Sequence, residues 1–249
     1  MNLEETLKNA KAFLFDLDGT LIDLPPKTFY IDYIRYCYPH FKDVFSNEDE
    51  FRNALLSSIQ ETVYHTDGKR NAIEIFIDIF APKAGLDEKE TLKRFMEFYN
   101  GDFDNLKRFV RSYPISSKLI ILIKTLKRKA VLATNPVFPR IATEKRIKWG
   151  KLEPQWFDYI TVGENSYYVK PQEKYYTNIL REIGVDARYA VMIGNDYEKD
   201  TAAKKVGITT IMVDTHQEGK ENKTCEPDFE SSLKEIYNAL MIIRKTKNK

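Results

Sequence analysis

Residues 12–21, Ala-Phe-Leu-Phe-Asp-Leu-Asp-Gly-Thr-Leu, set the terms for what this chain can become. A short apolar run bounded by a glycine turn reads as a strand buried on both faces. Strands of that kind belong to open α/β sheets, which place their ligands at the C-terminal strand ends. Asp16 and Asp18 stand at that end. Two carboxylates there are costly unless a cation, a proton or a reaction makes use of them. A solvated, Asp-rich turn is the competing reading. Asp-x-Asp-Gly-Thr, however, arises by chance in only roughly a few per thousand chains of this length.

The 249 residues suffice for a large core, either as one domain or as a core carrying an insertion. An apolar fraction of 43% and a charged fraction of 31% describe a globular chain rather than a disordered one. The net charge of +2 gives no reason to expect nucleic acid or a membrane surface as partner. No apolar run approaches the ~20 residues that span a bilayer. Residues Met1 to Glu5 lack the basic and apolar pattern of a secretory signal. Cys37 and Cys225 fit no metal-ligand spacing and read as free thiols of a reducing compartment. A cytoplasmic protein is expected, monomeric or a small homo-oligomer. Arg244, Lys245, Lys247 and Lys249 read as a solvated tail.

After Asp23, Leu24-Pro25-Pro26 reads as a linker. From Lys27 to about Val110 the spacing is helical. Phe29, Tyr33 and Cys37 mark one face, and Phe51, Leu55 and Ile59 a second, capped by Ser46 or Asn47. A third face, Ile73 to Phe80, ends at Pro82 and Gly85. A fourth helix opens at Asp87 and stops at Asn100-Gly101. This aromatic-rich block is a helical unit inserted after the first strand.

The second half alternates. Helices are expected over Ser116–Arg128, Pro139–Trp149, Pro171–Ile183 (with Pro171 in the first turn), Asp200–Val206 and Phe229–Ile243, the last capped by Asp228. Apolar strands are expected at Ala130–Ala133, Tyr159–Val162, Ala190–Ile193 and Ile208–Val213, with a polar loop at Gln217–Thr224. The alternation argues for a doubly wound parallel sheet with right-handed crossovers.

Three strands end in oxygen-bearing residues: Asp16 and Asp18, then Thr134 and Asn135, then Asp196 with Asp200. In a parallel sheet these ends share one edge. Lys170-Pro171, between the second and third, brings an ammonium to the same edge. Several carboxylates in one pocket repel one another, and a divalent cation resolves the repulsion. All-oxygen donors favour a hard ion such as Mg²⁺ over zinc. A hydroxyl, an amide and a lysine beside that ion make a receptor for an oxyanion, phosphate above all. An ionised aspartate can then act as nucleophile, and a second carboxyl as proton donor.

Asp16-Leu17-Asp18-Gly19-Thr20, Thr134-Asn135, Lys170-Pro171 and Gly194-Asn195-Asp196-Tyr197-Glu198-Lys199-Asp200 occur in that order. They resemble the four motifs of the haloacid dehalogenase-like superfamily, phosphatase type, with a helical cap inserted after the first motif. The resemblance covers about 155 residues of core. It implies a Rossmann-like core of residues 1–23 and 115–249, and a smaller all-helical cap of residues 24–114 that carries specificity. It implies a Mg²⁺-dependent phosphohydrolase acting on a small phosphorylated metabolite through an aspartyl-phosphate. Asp16 would be the nucleophile, and Asp18 the acid for the leaving group and then the base for water. Thr134, Asn135 and Lys170 would hold the phosphoryl oxygens. Asp16, the Asp18 backbone carbonyl and Asp196 would ligate the metal, with Asp200 acting from behind them. Asn195 departs from the aspartate that many members carry directly after the glycine.

Three rivals stand beside this reading: a phosphomutase, a carbon–halogen hydrolase, and a catalytically idle binding protein. The resemblance argues against halide chemistry, because dehalogenases of the family lack the second aspartate that Asp18 supplies. Asp200 is equally readable as a plain acid at a helix N-terminus, and Thr134 and Asn135 as a turn before Pro136. His40, His65 and His216 read as surface or cap residues, and the aromatic stripes of the insert as core. In the turn Thr66–Arg70, Lys69 and Arg70 are candidates to reach an anionic substrate group, against the commoner reading of a solvated helix start.

Overall fold

The computed structural model describes residues 2–247; Met1, and Lys249 of the basic end, lie outside them. Helix α1 (Leu3–Asn9) opens the chain, its first turn capped by the Asn2 side chain, which accepts from Glu5 N at 2.8 Å. Strand β1 (Ala12–Phe15) follows, and every residue in it is buried. Beyond β2 (Ile22–Asp23) come four helices: α2 (Pro26–Cys37), α3 (Glu48–Tyr64), α4 (Ala72–Ala84) and α5 (Glu88–Asn100). The chain returns through β3 (Arg111–Ser112), which pairs antiparallel with β2, Ile22 opposite Ser112. Both connections between the helical insert and the rest therefore run side by side.

The remaining elements alternate as expected up to β6 and then run as three successive strands before the last helix: α6 (Pro114–Thr125), β4 (Lys129–Leu132), α7 (Arg140–Trp149), β5 (Tyr159–Ile160), α8 (Glu173–Ile183), β6 (Ala190–Gly194), β7 (Thr209–Val213), β8 (Phe229–Ser231) and α9 (Leu233–Lys247). Among the described residues the main sheet has six strands, ordered β5-β4-β1-β6-β7-β8, all parallel. β1 is central, Ala12 pairing with Lys129 on one side and Ala190 on the other. The period of two divides its side chains. Phe13 and Phe15 face α1, α6 and α9, whereas Ala12 and Leu14 face the layer of α8. Because both faces are covered, β1 carries no alternation and reads as a continuous apolar run. Among the described residues no helix is long and apolar enough to cross a membrane.

Several expectations need correction. Phe229–Ser231 is not the first turn of the last helix but the edge strand β8, paired with Ile211–Val213. The helix starts after Ser232, where Glu235 N donates to Ser232 Oγ at 3.2 Å and Ser232 N to Glu235 Oε2 at 2.9 Å. Asp228 is not its cap; its Oδ2 accepts from Thr210 N at 2.9 Å beside the sheet. Pro171 lies outside α8, in a turn closed by Gln172 N donating to Val169 O at 2.9 Å, with the Lys170–Pro171 peptide cis. Asp200–Val206 winds as a 3-10 helix. Pro82 does not stop α4, which continues to Ala84 before Gly85 turns left-handed.

The insert is packed by aromatic rings. Phe41 stacks on Phe51 at 5.4 Å, and Phe80 and Phe95 stand edge-on or tilted to these rings and to each other with centroids 4.8–6.1 Å apart. Phe103 stacks on Trp149 of α7 at 5.1 Å, joining the insert to the sheet-side core. The predicted free thiols are present as such, Cys37 buried and Cys225 half-buried.

Candidate active site

The strand order reverses direction at β1, since the chain goes next to β4 on one side and later to β6 on the other. A crevice outside the carboxyl ends of the strands forms at such a point. Asp16, Asp18, Thr134, Asn135, Lys170, Asp196 and Asp200 all line one cavity there, of about 100 Å³. That is the space of roughly three waters.

Lys170 is the hub. Its side chain is 1% exposed, and its ammonium donates to Asp16 Oδ1 at 2.9 Å and to Asp200 Oδ1 at 2.6 Å. Burial alone would depress Lys170, yet the two carboxylates hold it well above its ordinary value. Burial pushes Asp16 upward, with Lys170 opposing and Asp18 reinforcing the shift. Asp200 is pushed up to about 6, by burial first and against the pull of Lys170. The other oxygen of Asp200 accepts the backbone N–H groups of Asn195 and Asp196 at 3.1 and 3.0 Å, and so shapes the loop after β6.

Two glycines make this arrangement possible. Gly19, with φ +81°, turns the chain sharply after Asp18. Gly194 leaves room for the Asp200 carboxylate, because a Cβ there would lie 2.0 Å from Oδ2. Gly194→Ala is expected to destabilise the fold by about 1–3 kcal/mol through this overpacking. A urea midpoint that is lower at unchanged slope checks it, and an unshifted midpoint contradicts it.

Asn195 has its own task. Its Oδ1 accepts from Thr20 Oγ1 at 2.8 Å and its Nδ2 donates to His216 O at 2.8 Å, joining the loops after β1, β6 and β7. An ionised aspartate, acceptor-only, cannot make the second bond. Thr134 O accepts from Tyr175 Oη at 2.8 Å, and Asn135 Oδ1 accepts from Lys170 N at 3.2 Å, so both residues are fixed at the mouth of β4.

Asp18 is paired through Oδ2 with the guanidinium of Arg146, while its Oδ1 is buried with no hydrogen-bond partner among the described residues. Such an oxygen is satisfied by a proton, a cation or an incoming ligand. Burial raises the Asp18 carboxyl, with Arg146 the chief opposing charge. For Asp196 the balance falls the other way. Burial works to raise it, but the ammonium and backbone N–H of Lys199 bring it below the ordinary carboxylate value. Among the described residues no three acidic, His or Cys side chains stand together as a ready metal cage. The donors along the cavity wall, the carboxylates of Asp16 and Asp196 among them, are nonetheless the hard oxygens that a Mg²⁺-like ion takes.

Sequence reasoning missed Arg146, Lys199, Glu218 and Tyr30, which also line the cavity. Arg146 carried a signal. It lies on the same buried face of α7 as Ala142, Thr143 and Ile147, where a charge has to be explained, and its guanidinium sits 4.3 Å over Phe138. Lys69 and Arg70, by contrast, are not brought to the site. Arg70 is exposed and pairs with Asp67 and Asp78 at 3.0 and 2.8 Å, while Asp67 caps the backbone of both residues. His65 closes the end of α3, and His40 and His216 pair with Asp102 and Asp23.

The whole sequence from Phe13 to Val213 matches the model of a family described as haloacid dehalogenase-like hydrolase. No curated protein matches the chain. Solved structures do. A HAD phosphatase from Thermococcus onnurineus is 22% identical, with 92% of this chain and 97% of that one covered and a TM-score of 0.61. A Thermotoga maritima protein assigned as a beta-phosphoglucomutase is 21% identical, covering 93% and 99%, with a TM-score of 0.56. An L-2-haloacid dehalogenase from Xanthobacter autotrophicus is 14% identical, covering 93% and 98%, also at 0.56. At these identities the likeness speaks to the fold, an α/β Rossmann-like core. The family match extends over most of the chain: this protein belongs to the haloacid dehalogenase-like hydrolases.

Proposed function

We propose that this hydrolase is a phosphohydrolase that cleaves the phosphate ester of a small molecule through an aspartyl-phosphate. One observation carries the reading: Asp16 and Asp18 open onto one small cavity together with Lys170, Thr134 and Asn135. Asp16 attacks phosphorus; the new O–P bond forms as the bond to the leaving oxygen breaks. That oxygen takes a proton from Asp18, whose upward-shifted carboxyl suits an acid. Water then attacks the phosphoryl group and returns a proton to Asp18, freeing inorganic phosphate and Asp16. Lys170, with Thr134 and Asn135, holds the phosphoryl oxygens and keeps Asp16 in place. Asp16, Asp196 and the Asp18 backbone carbonyl would hold a divalent cation such as Mg²⁺, which when bound offsets the charge of the phosphate. Residues 24–114 form the cap in this reading, hinged at the β2–β3 pair and excluding water while the ester is cleaved.

The test is phosphate release from simple phosphate esters. Release is expected with Mg²⁺, lost after dialysis against EDTA, and restored by adding Mg²⁺ back. Halide release from 2-haloacids without any phosphate release would overturn the assignment.

A further inference from the structure

Beside the polar cavity lies a second one, of about 210 Å³, inside the helical insert. The two share a wall formed by Tyr30, Val137 and Phe138. The second cavity runs from that wall between α2, α3, α4 and α5, with Leu55, Ile77 and Phe95 among the buried residues that line it. Among the described residues none that lines it is charged. Two of the hydroxyls that line it, those of Tyr33 and Tyr99, satisfy each other in a hydrogen bond of 2.7 Å. At its rim Tyr30, Leu56 and Leu92 are 42, 45 and 41% exposed, more than isolated core residues would be.

This pocket opens to solvent at that rim and is larger than an ordinary packing defect. An apolar cavity of about 150 Å³ stays dry and takes up benzene. This one has room for a substituted ring or a short branched chain. Resting on the phosphohydrolase reading, we propose that it receives the leaving group of the substrate. The substrate is then the phosphate monoester of a hydrophobic alcohol or phenol that carries no second anionic group. Among the described residues, the cations that line the phosphate site are already engaged, Lys170 by Asp16 and Asp200, Arg146 by Asp18 and Lys199 by Asp196. A carboxylate or second phosphate on the leaving group would enter the cavity unpaired, at a cost of desolvation that nothing there offsets. The same argument disfavours a phosphomutase, whose bisphosphorylated intermediate needs a second anion site.

The experiment compares 1-naphthyl phosphate and benzyl phosphate with phosphoglycolate and glucose 1,6-bisphosphate, and uses acetyl phosphate, a small reactive acyl phosphate, as the control for the chemical step. It adds the binding of 1-naphthol alone, measured by calorimetry without any phosphate. The apolar esters are expected to exceed the anionic ones in kcat/KM by roughly a hundredfold or more, and 1-naphthol is expected to bind. Ile59→Trp and Met96→Trp, from α3 and α5, each fill the cavity. Each is expected to lower the ratio of naphthyl to acetyl phosphate turnover at least roughly tenfold and to weaken 1-naphthol binding. Two variants on different helices guard against one that fails to fold. If acetyl phosphate is cleaved but the anionic esters are preferred, or the ratio is unmoved in both variants, the proposal falls and the phosphohydrolase reading survives. If no phosphate is released from any compound, the phosphohydrolase reading falls and the proposal with it.

Discussion

Asp16→Asn is expected to abolish phosphate release, lowering kcat at least roughly 10³-fold, while the protein stays folded. The amide keeps the shape of the carboxylate but is not a nucleophile. Lys170 retains its contact with Asp200 at 2.6 Å, so the ammonium is not stranded. The unfolding midpoint is therefore expected to stay close to the wild-type value. An aspartyl-phosphate formed on Asp16 predicts one further difference: a rapid quench of the wild-type reaction traps labelled phosphate on the protein, and the variant traps none. Equal phosphate release by both proteins would remove Asp16 from the reaction.

Lys170→Met is the second large effect, and it falls on stability as well as on activity. The side chain is 1% exposed and bridges two carboxylates, so methionine fills the space but leaves Asp16 and Asp200 buried without their cation. Removing one partner of such a network costs about 3–5 kcal/mol. Turnover is expected to fall by at least roughly 10²-fold. The loss of stability has a definite pH dependence. Asp200 is already shifted upward, to about 6, and without Lys170 it and Asp16 rise further in the folded state. A carboxyl whose folded value lies above its unfolded one contributes most stability below the unfolded value, near 4, and loses it as the pH rises through the folded one. The gap between variant and wild type should thus narrow from pH 7 to pH 5, measured by urea unfolding in EDTA. A gap that is absent, or that widens towards acid, would contradict the network.

What could be read from residues alone followed from how each element meets its surroundings. β1, β4, β6 and β7 were legible because a strand covered on both faces is apolar throughout. Asp16, Asp18, Lys170, Asp196 and Asp200 were legible as one edge because parallel strands align their carboxyl ends. β8 was not, since three residues show no period and Asp228 looks like a helix cap as readily as a sheet-edge acceptor. Pro82 misled because a proline inside a helix is usually its end. Arg146 was passed over despite its apolar neighbours on α7, because an arginine on a helix is ordinarily solvated. The cavity in the insert was invisible for a related reason. Phe95, Ile77 and Leu55 follow the same spacing whether they fill a core or line a void, and only the packing separates the two.

The position of β1 in the sheet also decides when this protein can fold during its own synthesis. The strand leaves the ribosome first, yet its partner residues on β4 come more than a hundred residues later, and those on β6 later still. At about 5–20 residues per second, the first of them arrives on the order of ten seconds after β1. In that interval the insert, whose helices contact their sequence neighbours, can assemble by itself. The nascent chain meanwhile exposes Phe13, Leu14 and Phe15 with both strand edges unpaired. Soluble yield in a host cell is therefore expected to depend on what shields these three residues until β4 is made, and not on the stability of the finished sheet alone.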